Sequence, residues 1–314
     1  MTSSTPRRDI TLWLPAWARL GDQLAPGDVL HRIAARADRE QVDAGDEARV
    51  ARRFDILPRG LPVAALTRQL DAGDAMQFTW LRADPGHVRP DMTSVRMLAC
   101  GDLGLSPEEC EALLKPLKPL FGDEGFPISA PHPARWYLCL PQEARLPVFP
   151  PPREVLGDDL LAHLPEGDTG QRWRRLLNEA QVILHNHPLN AQRSAAGKLP
   201  VNTLWFWGGG RLPDHVRSAV SQLRSGDVVL NALAARAGVP CVADDAVDSL
   251  PPGALLDLRG LHDAVLLQSH WLEPLLQRQR RGDFDTLELD FGDGHLLRWQ
   301  AGHRWRFWRR RVPA

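Results

Sequence analysis

The sequence predicts an α/β fold with a mostly parallel sheet, and three observations support this prediction. Residues 9–14 (DITLWL) form a short apolar run that ends at a proline, which is typical of a buried strand. Residues 201–243 alternate strand-like and helix-like patterns, as in a parallel sheet with crossover helices. Residues 286–299 alternate apolar and polar side chains around Asp293-Gly294, which predicts a C-terminal β-hairpin.

A helix with a complete start signal is predicted between residues 106 and 121. Ser106 can cap the helix, Pro107 fits its first turn, and Glu109 stands three residues after the cap. The other elements predicted before residue 141 are helices at 28–39 and 61–70, strands at 77–82 and 134–140, and a polar loop that contains Asp84, Pro85, Gly86 and Asp91.

A run of prolines between residues 147 and 152 predicts a stiff crossing and a subdomain edge. Beyond it, residues 171–187 carry apolar side chains at helical spacing, and Pro188 ends that pattern. The remaining predicted elements are a strand at 201–207 that runs into Gly208, Gly209 and Gly210, a helix at 224–237, and a strand at 239–243 that ends in Asp244 and Asp245.

Composition and charge exclude several classes of protein. The chain has 314 residues, with 38 basic and 39 acidic side chains and a net charge of -1, which argues against a general polyanion-binding protein. None of the four cysteines lies in a CxxC pair, so a zinc knuckle, a redox motif and a disulfide framework are not expected. No run approaches the roughly 18 apolar residues of a membrane helix. We therefore expect a cytoplasmic protein with no membrane contact.

The segment LWFWGGG at 204–210 is the sharpest local motif. A buried strand that ends in glycines lets its backbone approach a ligand, and its N–H groups can bind an anion. The spacing is not GxGxxG, and no lysine follows as in a phosphate-binding loop. A tight strand exit with the tryptophans packed in the core explains the motif equally well.

The segment HNHPLNAQR at 185–193 concentrates polar side chains at a predicted helix end. His185 and His187 could bind a metal on a strand, but before a proline at a helix end their rings diverge, so no metal is expected here. A contact from Asn190 or Arg193 to an anion is the better interpretation of this segment.

The C-terminal segment RWRFWRRR at 304–311 interleaves basic and aromatic residues. This pattern fits a surface for RNA or for an acidic partner. An amphipathic last strand, with arginines outward and tryptophans inward, explains it equally well. Asp244 and Asp245 also have two interpretations, as metal ligands or as a solvated turn, and the turn is preferred.

Three segments in order resemble the archaeal-type, cofactor-independent phosphoglycerate mutases of the alkaline phosphatase superfamily. They are 81–140, the helix and turn with Trp-Phe-Trp-Gly-Gly-Gly at 172–210, and the helix and strand at 218–241. Within that family the pattern is similar to the bacterial RpfE-type regulatory proteins, a divergent branch. The resemblance implies an alkaline-phosphatase-like core formed by 1–77 and 151–314, with an inserted α+β subdomain at 78–150.

The sequence departs from this family where its chemistry is expected. Family enzymes hold two divalent metals with an Asp-Gly after the first strand and a late Asp-x-x-Gly-His, but Pro15 and Ala16 follow the first strand here. The late region has only His270, and the stretch expected to carry the nucleophilic serine has Ala64 and Ala65. Because two metals clamp the attacking and leaving oxygens of a phosphoryl transfer, these losses predict a silent enzyme without metal or cofactor.

The residues that match the family belong to its ligand-proximal pattern instead of its metal sites. We expect a small anionic or phosphorylated metabolite, and we expect Arg193→Ala to weaken its binding while folding stays nearly intact. The predicted ligand-binding residues are Arg82, Asp91, Arg135, His187, Asn190, Arg193, Asn202, Trp207, Gly208 and Gly210.

Two alternatives remain open from the sequence. One is an active metal-dependent phosphomutase or phosphohydrolase with rewired ligands, drawn from Asp244, Asp245, His185 and His270. The other is a protein or nucleic-acid interaction module that uses the C-terminal hairpin and tail, and of these two partners a protein is preferred.

Overall fold

The computed structural model describes residues 8–25, 27–91, 94–243 and 246–309. The chain forms two compact units: unit 1 is Met1–Arg59 with Asp214–Ala314, and unit 2 is Gly60–Pro213. The insert predicted at 78–150 lies wholly inside unit 2, and its status as a separate subdomain stays a prediction.

Strands and helices alternate along most of the described chain. The strands are β1 (Asp9–Leu14), β2 (Asp38–Gln41), β3 (Phe54–Leu57), β4 (Thr79–Pro90), β5 (Val95–Cys100), β6 (Ile128–His132), β7 (Arg135–Leu140), β8 (Thr203–Arg211), β9 (His215–Ser218), β10 (Gln222–Arg224), β11 (Ala254–Asp257), β12 (Thr286–Phe291) and β13 (His295–Gln300). The α-helices are α1 (Trp17–Gly21), α2 (Val29–Arg36), α3 (Asp46–Arg53), α4 (Val63–Ala72), α5 (Pro107–Asp123), α6 (Pro152–Val155), α7 (Gly167–His185), α8 (Pro188–Ala195), α9 (Val228–Ala237), α10 (Ala264–Leu266) and α11 (Glu273–Arg281). Short 3-10 turns lie at Leu160–His163, Val247–Ser249 and Ala301–Trp305, and a π-helical turn lies at Leu267–Leu272.

Unit 1 contains a mixed sheet with the strand order β10-β11-β1-β12-β13-β2. The pairs β10/β11, β11/β1 and β1/β12 are parallel, and β13 and β2 add antiparallel strands at one side. Strands β12 and β13 form the predicted C-terminal hairpin, with positive-φ Gly294 in its turn. The α/β class, the mostly parallel sheet and the hairpin are therefore confirmed.

The two faces of this sheet differ in polarity. Ile10, Leu12 and Leu14 of β1 point to the apolar face, where they join the core that α2, α11 and the hairpin help to form. Thr11 and Trp13 alternate with them and point to the opposite face. The registered neighbours of these two residues on β12 are Glu288 and Asp290, which makes the second face polar.

Unit 2 contains an antiparallel sheet in which β4 is the central strand. Its order is β5-β4-β7-β6, and β8 also pairs with β4. Helices α5 and α7 pack their apolar sides on this sheet and form the core of the unit. The start of α5 is as predicted, because Ser106 and Glu109 form a reciprocal capping box.

Three local predictions are corrected by the structure. Strand β8 does not end at the glycines but continues to Arg211, and it pairs antiparallel with β4 instead of joining the parallel sheet. Residues 239–243 are not a strand; Cys241 forms an isolated bridge with Leu223, while Asp244 and Asp245 lie outside the described residues. In the predicted polar loop, Asp84, Pro85 and Gly86 belong to β4, and Asp91 follows the end of the strand.

The second half of β4 is held in place by a side chain from a distant part of the sequence. The Asn202 side chain accepts from the backbone N–H of Val88 and donates to its carbonyl oxygen, both at 2.8 Å. Asn202 directly precedes β8, whose registered pairing with β4 ends at Gly86 and Thr203, so the amide extends the support of β4 to Val88. Pro85 and Gly86 suggested a loop because this long-range support is invisible in the local sequence.

Gly208→Ala should destabilise unit 2, and Gly122→Ala should not. Gly208 has φ +64°, and a Cβ there would lie 2.8 Å from Cβ of Val63. An alanine would be strained in this left-handed backbone conformation and would also overlap Val63. Together these effects should lower the free energy of unfolding by about 2 kcal/mol or more. Gly122 lies in α5 with open space around it, so alanine there should be neutral or stabilising. Urea unfolding of both variants measures the difference; equal stabilities would contradict the prediction.

Candidate functional site

All ten ligand-binding residues predicted from the sequence lie in unit 2, and several of them are paired with other residues of that unit. Arg82 and Trp207 meet at Asp84, and Arg135 binds Asp71. The remaining predicted residues make separate contacts. Asp91 is exposed at the end of β4, and Arg96 lies 3.5 Å from it.

A buried ion pair occupies the centre of β4. The Arg82 guanidinium donates to both carboxylate oxygens of Asp84, each at 2.8 Å, and the indole Nε1 of Trp207 donates to Asp84 Oδ2 at 2.7 Å. The guanidinium lies over the rings of Tyr137 and Trp207, at 5.4 and 5.2 Å from their centroids. Burial raises the pKa of Asp84, and the charge and hydrogen bonds of Arg82 oppose that rise. A buried charge of this kind requires its partner.

A second ion pair joins β7 to α4. Arg135 donates through Nε and Nη2 to Asp71 at 2.7 and 2.6 Å, and the hydroxyl of Tyr137 donates to the same carboxylate at 2.5 Å. Burial alone would raise the pKa of Asp71, but the hydrogen bonds from Arg135 and Tyr137 outweigh it, and the pKa is lowered. Arg135 therefore fixes the position of α4 on the sheet.

Hydrogen bonds from polar side chains stabilise the segment between α7 and α8. His187 precedes Pro188 and caps α8, because its Nδ1 accepts from the N–H of Leu189 at 3.2 Å. The side chain of Asn190 donates to the carbonyl oxygens of Leu184 and Val201 and accepts from the N–H of Val201, at 2.7 to 2.8 Å. These contacts connect the two helices to the start of β8.

Arg193 is only 1% exposed and holds three separate parts of unit 2 together. It donates to the carboxylate of Glu109 at 2.8 Å, to the carbonyl oxygen of Leu103 at 2.7 Å and to that of Leu199 at 3.0 Å. Arg193 therefore has a structural role, and we now expect Arg193→Ala to destabilise the fold instead of leaving it nearly intact.

Gly208 and Gly210 lie against the start of α4. A Cβ at Gly210 would lie 2.6 Å from Cβ of Pro62, just as one at Gly208 would meet Val63. The glycines thus permit close packing of a strand on a helix, which is the interpretation without a ligand. Whether any of the ten residues also binds a ligand stays a prediction.

The carboxyl edge of the parallel strands in unit 1 holds a cluster of charged residues that the sequence did not predict. Arg259 follows β11 and contacts three carboxylates: Asp257 at 2.7 Å, Asp227 at 2.7 Å and Asp46 at 3.0 Å. This is the edge where open α/β sheets place their ligands. The three aspartates come from β11, the N-cap of α9 and the first turn of α3, so only the fold brings them together.

The pKa shifts at this edge follow from the pairing. Burial alone would raise the pKa of Asp257, but the hydrogen bonds and charge of Arg259 outweigh it, and the pKa is lowered. For Arg259, burial would lower the pKa, but Asp257, Asp46 and Asp227 outweigh it, and the pKa is raised. Both groups are therefore charged across the physiological range of pH.

Two further arginines from α3 extend the cluster along the polar face of the sheet. Arg49 donates to the backbone carbonyl oxygens of Leu14 and Asp290 at 2.5 and 2.7 Å, and Arg52 donates to both carboxylate oxygens of Asp290 at 2.9 and 3.0 Å. Trp13 lies between Arg49 and Arg259, whose guanidinium carbons are 6.0 and 5.5 Å from its ring. Its indole N–H is buried and finds no acceptor within the described residues.

A cavity of about 480 Å³ lies on the same polar face, toward the amino ends of β1 and β12. Arg53 and Arg298 both contact Glu288 in its wall, and Arg8 lies 3.6 Å from Asp285. Its lining residues are Arg8, Asp9, Arg52, Arg53, Asp285, Thr286, Glu288, Leu296 and Arg298. A local signal for this cavity exists in the sequence, since DEARVARR in α3 places three arginines within five residues.

The residues proposed as rewired metal ligands do not form a cluster in the described part of the chain. His185 is exposed at the end of α7 in unit 2, while His270 lies in unit 1 beside Trp271. Over residues 8–25, 27–91, 94–243 and 246–309, no group of three or more His, Cys, Asp or Glu side chains is arranged to hold a metal ion. In the same ranges no helix is long and apolar enough to span a membrane.

Arg193→Ala should lower the free energy of unfolding by about 3 kcal/mol, because it leaves a carboxylate and two carbonyl oxygens without their donor. Arg280→Ala, at an exposed position on α11, is the matched control and should change stability by less than about 0.5 kcal/mol. Chemical unfolding followed by circular dichroism measures both. A neutral effect of Arg193→Ala would restore the sequence-based expectation.

Asp257→Asn should lower the free energy of unfolding at pH 6. It should also make that free energy fall less as the pH is lowered. Because the folded pKa of Asp257 is lowered from 3.8, its carboxylate stabilises the fold above that pH, and this contribution disappears as pH falls through the folded pKa. Unfolding measured between pH 2.5 and 6 tests this. Asp55→Asn, at an exposed position on β3, is the control. Parallel pH profiles for wild type and Asp257→Asn would contradict the prediction.

Comparisons with known proteins find a relation over part of the chain. No family model matches it. It is 41% identical over 63 residues to a probable 2,3-bisphosphoglycerate-independent phosphoglycerate mutase of Geobacter sulfurreducens, and 36% identical over 63 residues to the enzyme of that name from Methanosarcina mazei. Each match covers 20% of this chain and spans only 16% of the relative's length.

Two solved structures align with most of the chain at low similarity. The cofactor-independent phosphoglycerate mutase of Thermoplasma acidophilum has 16% identity and a TM-score of 0.42, with 95% of this chain and 90% of that one covered. A Pyrococcus horikoshii protein has 13% identity and a TM-score of 0.43, with 95% and 89% covered. Scores below 0.5 do not establish a shared fold. Over about one fifth of its length, the chain is thus a distant relative of the phosphoglycerate mutases.

Proposed function

We propose that this chain is a catalytically silent relative of the phosphoglycerate mutases that binds a small anion. The observation that carries the proposal is the position of Arg259, whose guanidinium lies among three carboxylates at the carboxyl edge of the parallel strands. The RpfE-type regulatory role, the alkaline-phosphatase-like core and a cytoplasmic location are part of the same proposal.

The residues at this edge do not fit the two divalent metals that the family resemblance implies. A metal needs carboxylate or imidazole ligands around an open centre. Here the centre of the carboxylate cluster is a guanidinium, which is not deprotonated in proteins. The buried indole N–H of Trp13 and the guanidinium of Arg49 are further electropositive groups beside it. A divalent cation would have to displace Arg259 against this charge.

The segment expected to provide the nucleophile offers no hydroxyl at that point. Ala64 and Ala65 form the first turn of α4, and both are fully buried. A phosphoryl group could not be transferred to either side chain, since a covalent route needs an oxygen, nitrogen or sulfur nucleophile. This supports a role in binding over one in catalysis.

The arginine-lined cavity is the place in unit 1 that suits an anion. Its volume of about 480 Å³ lies within the range of small-molecule sites. Four arginines against three carboxylates give its lining an excess of positive charge, and arginine forks bind phosphate and carboxylate groups through paired hydrogen bonds. An incoming anion would compete with Glu288 and Asp285 for these guanidinium groups. The relatives, by name, act on phosphoglycerate, so a phosphorylated small acid is the first class to test.

Wild-type protein incubated with manganese and zinc and then desalted should contain less than about 0.1 metal ion per chain. Arg259→Ala removes the built-in cation and should let the three carboxylates retain a divalent ion, while Arg259→Lys keeps a cation and should not. Elemental analysis measures all three proteins. One or two tightly held metals in the wild type would favour the active, metal-dependent alternative instead.

3-Phosphoglycerate or inorganic phosphate should bind the wild type, and Arg8→Gln combined with Arg298→Gln should weaken binding at least tenfold, since about 1.4 kcal/mol corresponds to that factor. Both arginines are about half exposed, so the substitutions should leave the fold intact. Arg280→Gln combined with Arg281→Gln, at two exposed positions on α11, is the control of equal charge change. Isothermal titration calorimetry measures the affinities, and equal binding by the double variant would remove the cavity from the proposal.

A further inference from the structure

The C-terminal segment of unit 1 presents three aromatic rings to solvent. Trp305 and Phe307 are each 61% exposed, and Trp308 is 71% exposed. Together these three residues form the aromatic surface. The alternative inferred from the sequence, with tryptophans inward and arginines outward, is wrong at 305 and 308, although Trp299 is buried on β13. Large exposed rings grouped in this way mark an interaction surface.

The backbone beneath the aromatic surface is anchored, so the rings are presented on a defined support. Asp38 lies 2.5 Å from Arg306 and 3.4 Å from His303, which is itself buried. Arg36 donates to the carbonyl oxygen of Arg304 at 2.8 Å, and Arg309 donates to that of Ala37. These contacts fix the backbone of the segment at the end of α2, and the three rings are exposed to solvent.

The chain segment that carries these rings is basic, and the carboxylate of Asp38 on β2 pairs with two of its arginines, Arg306 and Arg309. From residue 295 to the last residue the sequence contains six arginines and neither Asp nor Glu. Arg304 lies over the ring of Trp305, 5.1 Å from its centroid, and Phe307 meets Trp308 edge-on at 5.7 Å. The whole chain is nearly neutral, but at this end positive charge and aromatic faces occur together.

We propose that the aromatic surface binds single-stranded nucleic acid. Bases stack on tryptophan and phenylalanine whatever their sequence, and arginines beside the rings neutralise the phosphates between the bases. In the order Arg304, Trp305, Arg306, Phe307, Trp308 and Arg309 every ring has a cation next to it. A second copy of this chain is disfavoured as occupant, because a two-fold contact would bring the arginines of both copies together.

The test is fluorescence anisotropy of a labelled fifteen-nucleotide dT strand with the 314-residue chain in 50 mM salt. The wild type should bind, and its affinity should fall with rising salt as phosphate contacts require. Trp305→Ala combined with Trp308→Ala should weaken binding at least tenfold, whereas the paired changes to phenylalanine should retain most of it. Phe78→Ala, an exposed ring in unit 2, should have no effect.

Parallel measurements with polyglutamate and with phosphatidylcholine–phosphatidylglycerol vesicles separate the competing partners. Binding of dT that depends on the two tryptophans supports the proposal. No binding of dT at low salt overturns it, as does dT binding that is unchanged in the double alanine variant. Retention on vesicles or polyglutamate without dT binding assigns the surface to a membrane or an acidic protein instead. Circular dichroism melting confirms that each variant is folded.

Discussion

Pairing of arginine with aspartate across the polar face of the unit 1 sheet is the interaction on which the rest of that unit depends. Asp290 is fully buried in β12, and a buried carboxylate is tolerated only when it is paired. Arg52 binds its side chain and Arg49 binds its backbone, so α3 must lie over this face. The place of α3 in turn brings Asp46 to Arg259 and Arg53 to the wall of the cavity.

Unit 2 follows the same rule with different residues. Arg135 with Asp71 and Arg193 with Glu109 join parts of the chain that are distant in sequence, and Arg82 with Asp84 forms a buried pair within β4. A family resemblance identified the arginines of these pairs as ligand contacts. The structure gives each of them an internal partner, so these arginines have a role in folding, and contact with a ligand stays a prediction.

The elements with local signals were predicted well, and those that rest on distant partners were not. Strand β1, the capped helix α5 and the hairpin at Asp293-Gly294 depend on side chains within a few residues of each other. Strand β4 continues through Pro85 because Asn202 and the neighbouring strands support it. The parallel sheet was predicted correctly, but from residues 201–243, of which only β10 belongs to it. The cluster around Arg259 was missed because its members come from separate parts of the chain.

The cation at the carboxyl edge of unit 1 is part of the polypeptide, and this has a consequence for how the protein responds to its surroundings. A fold that borrows its positive charge from bound metal weakens when a chelator or scarcity removes that metal. Here the cation is the side chain of Arg259, so every copy of the chain carries one from the moment it is synthesised. The positive charge that Arg259 contributes to this edge is therefore set at translation and does not itself depend on a metal ion.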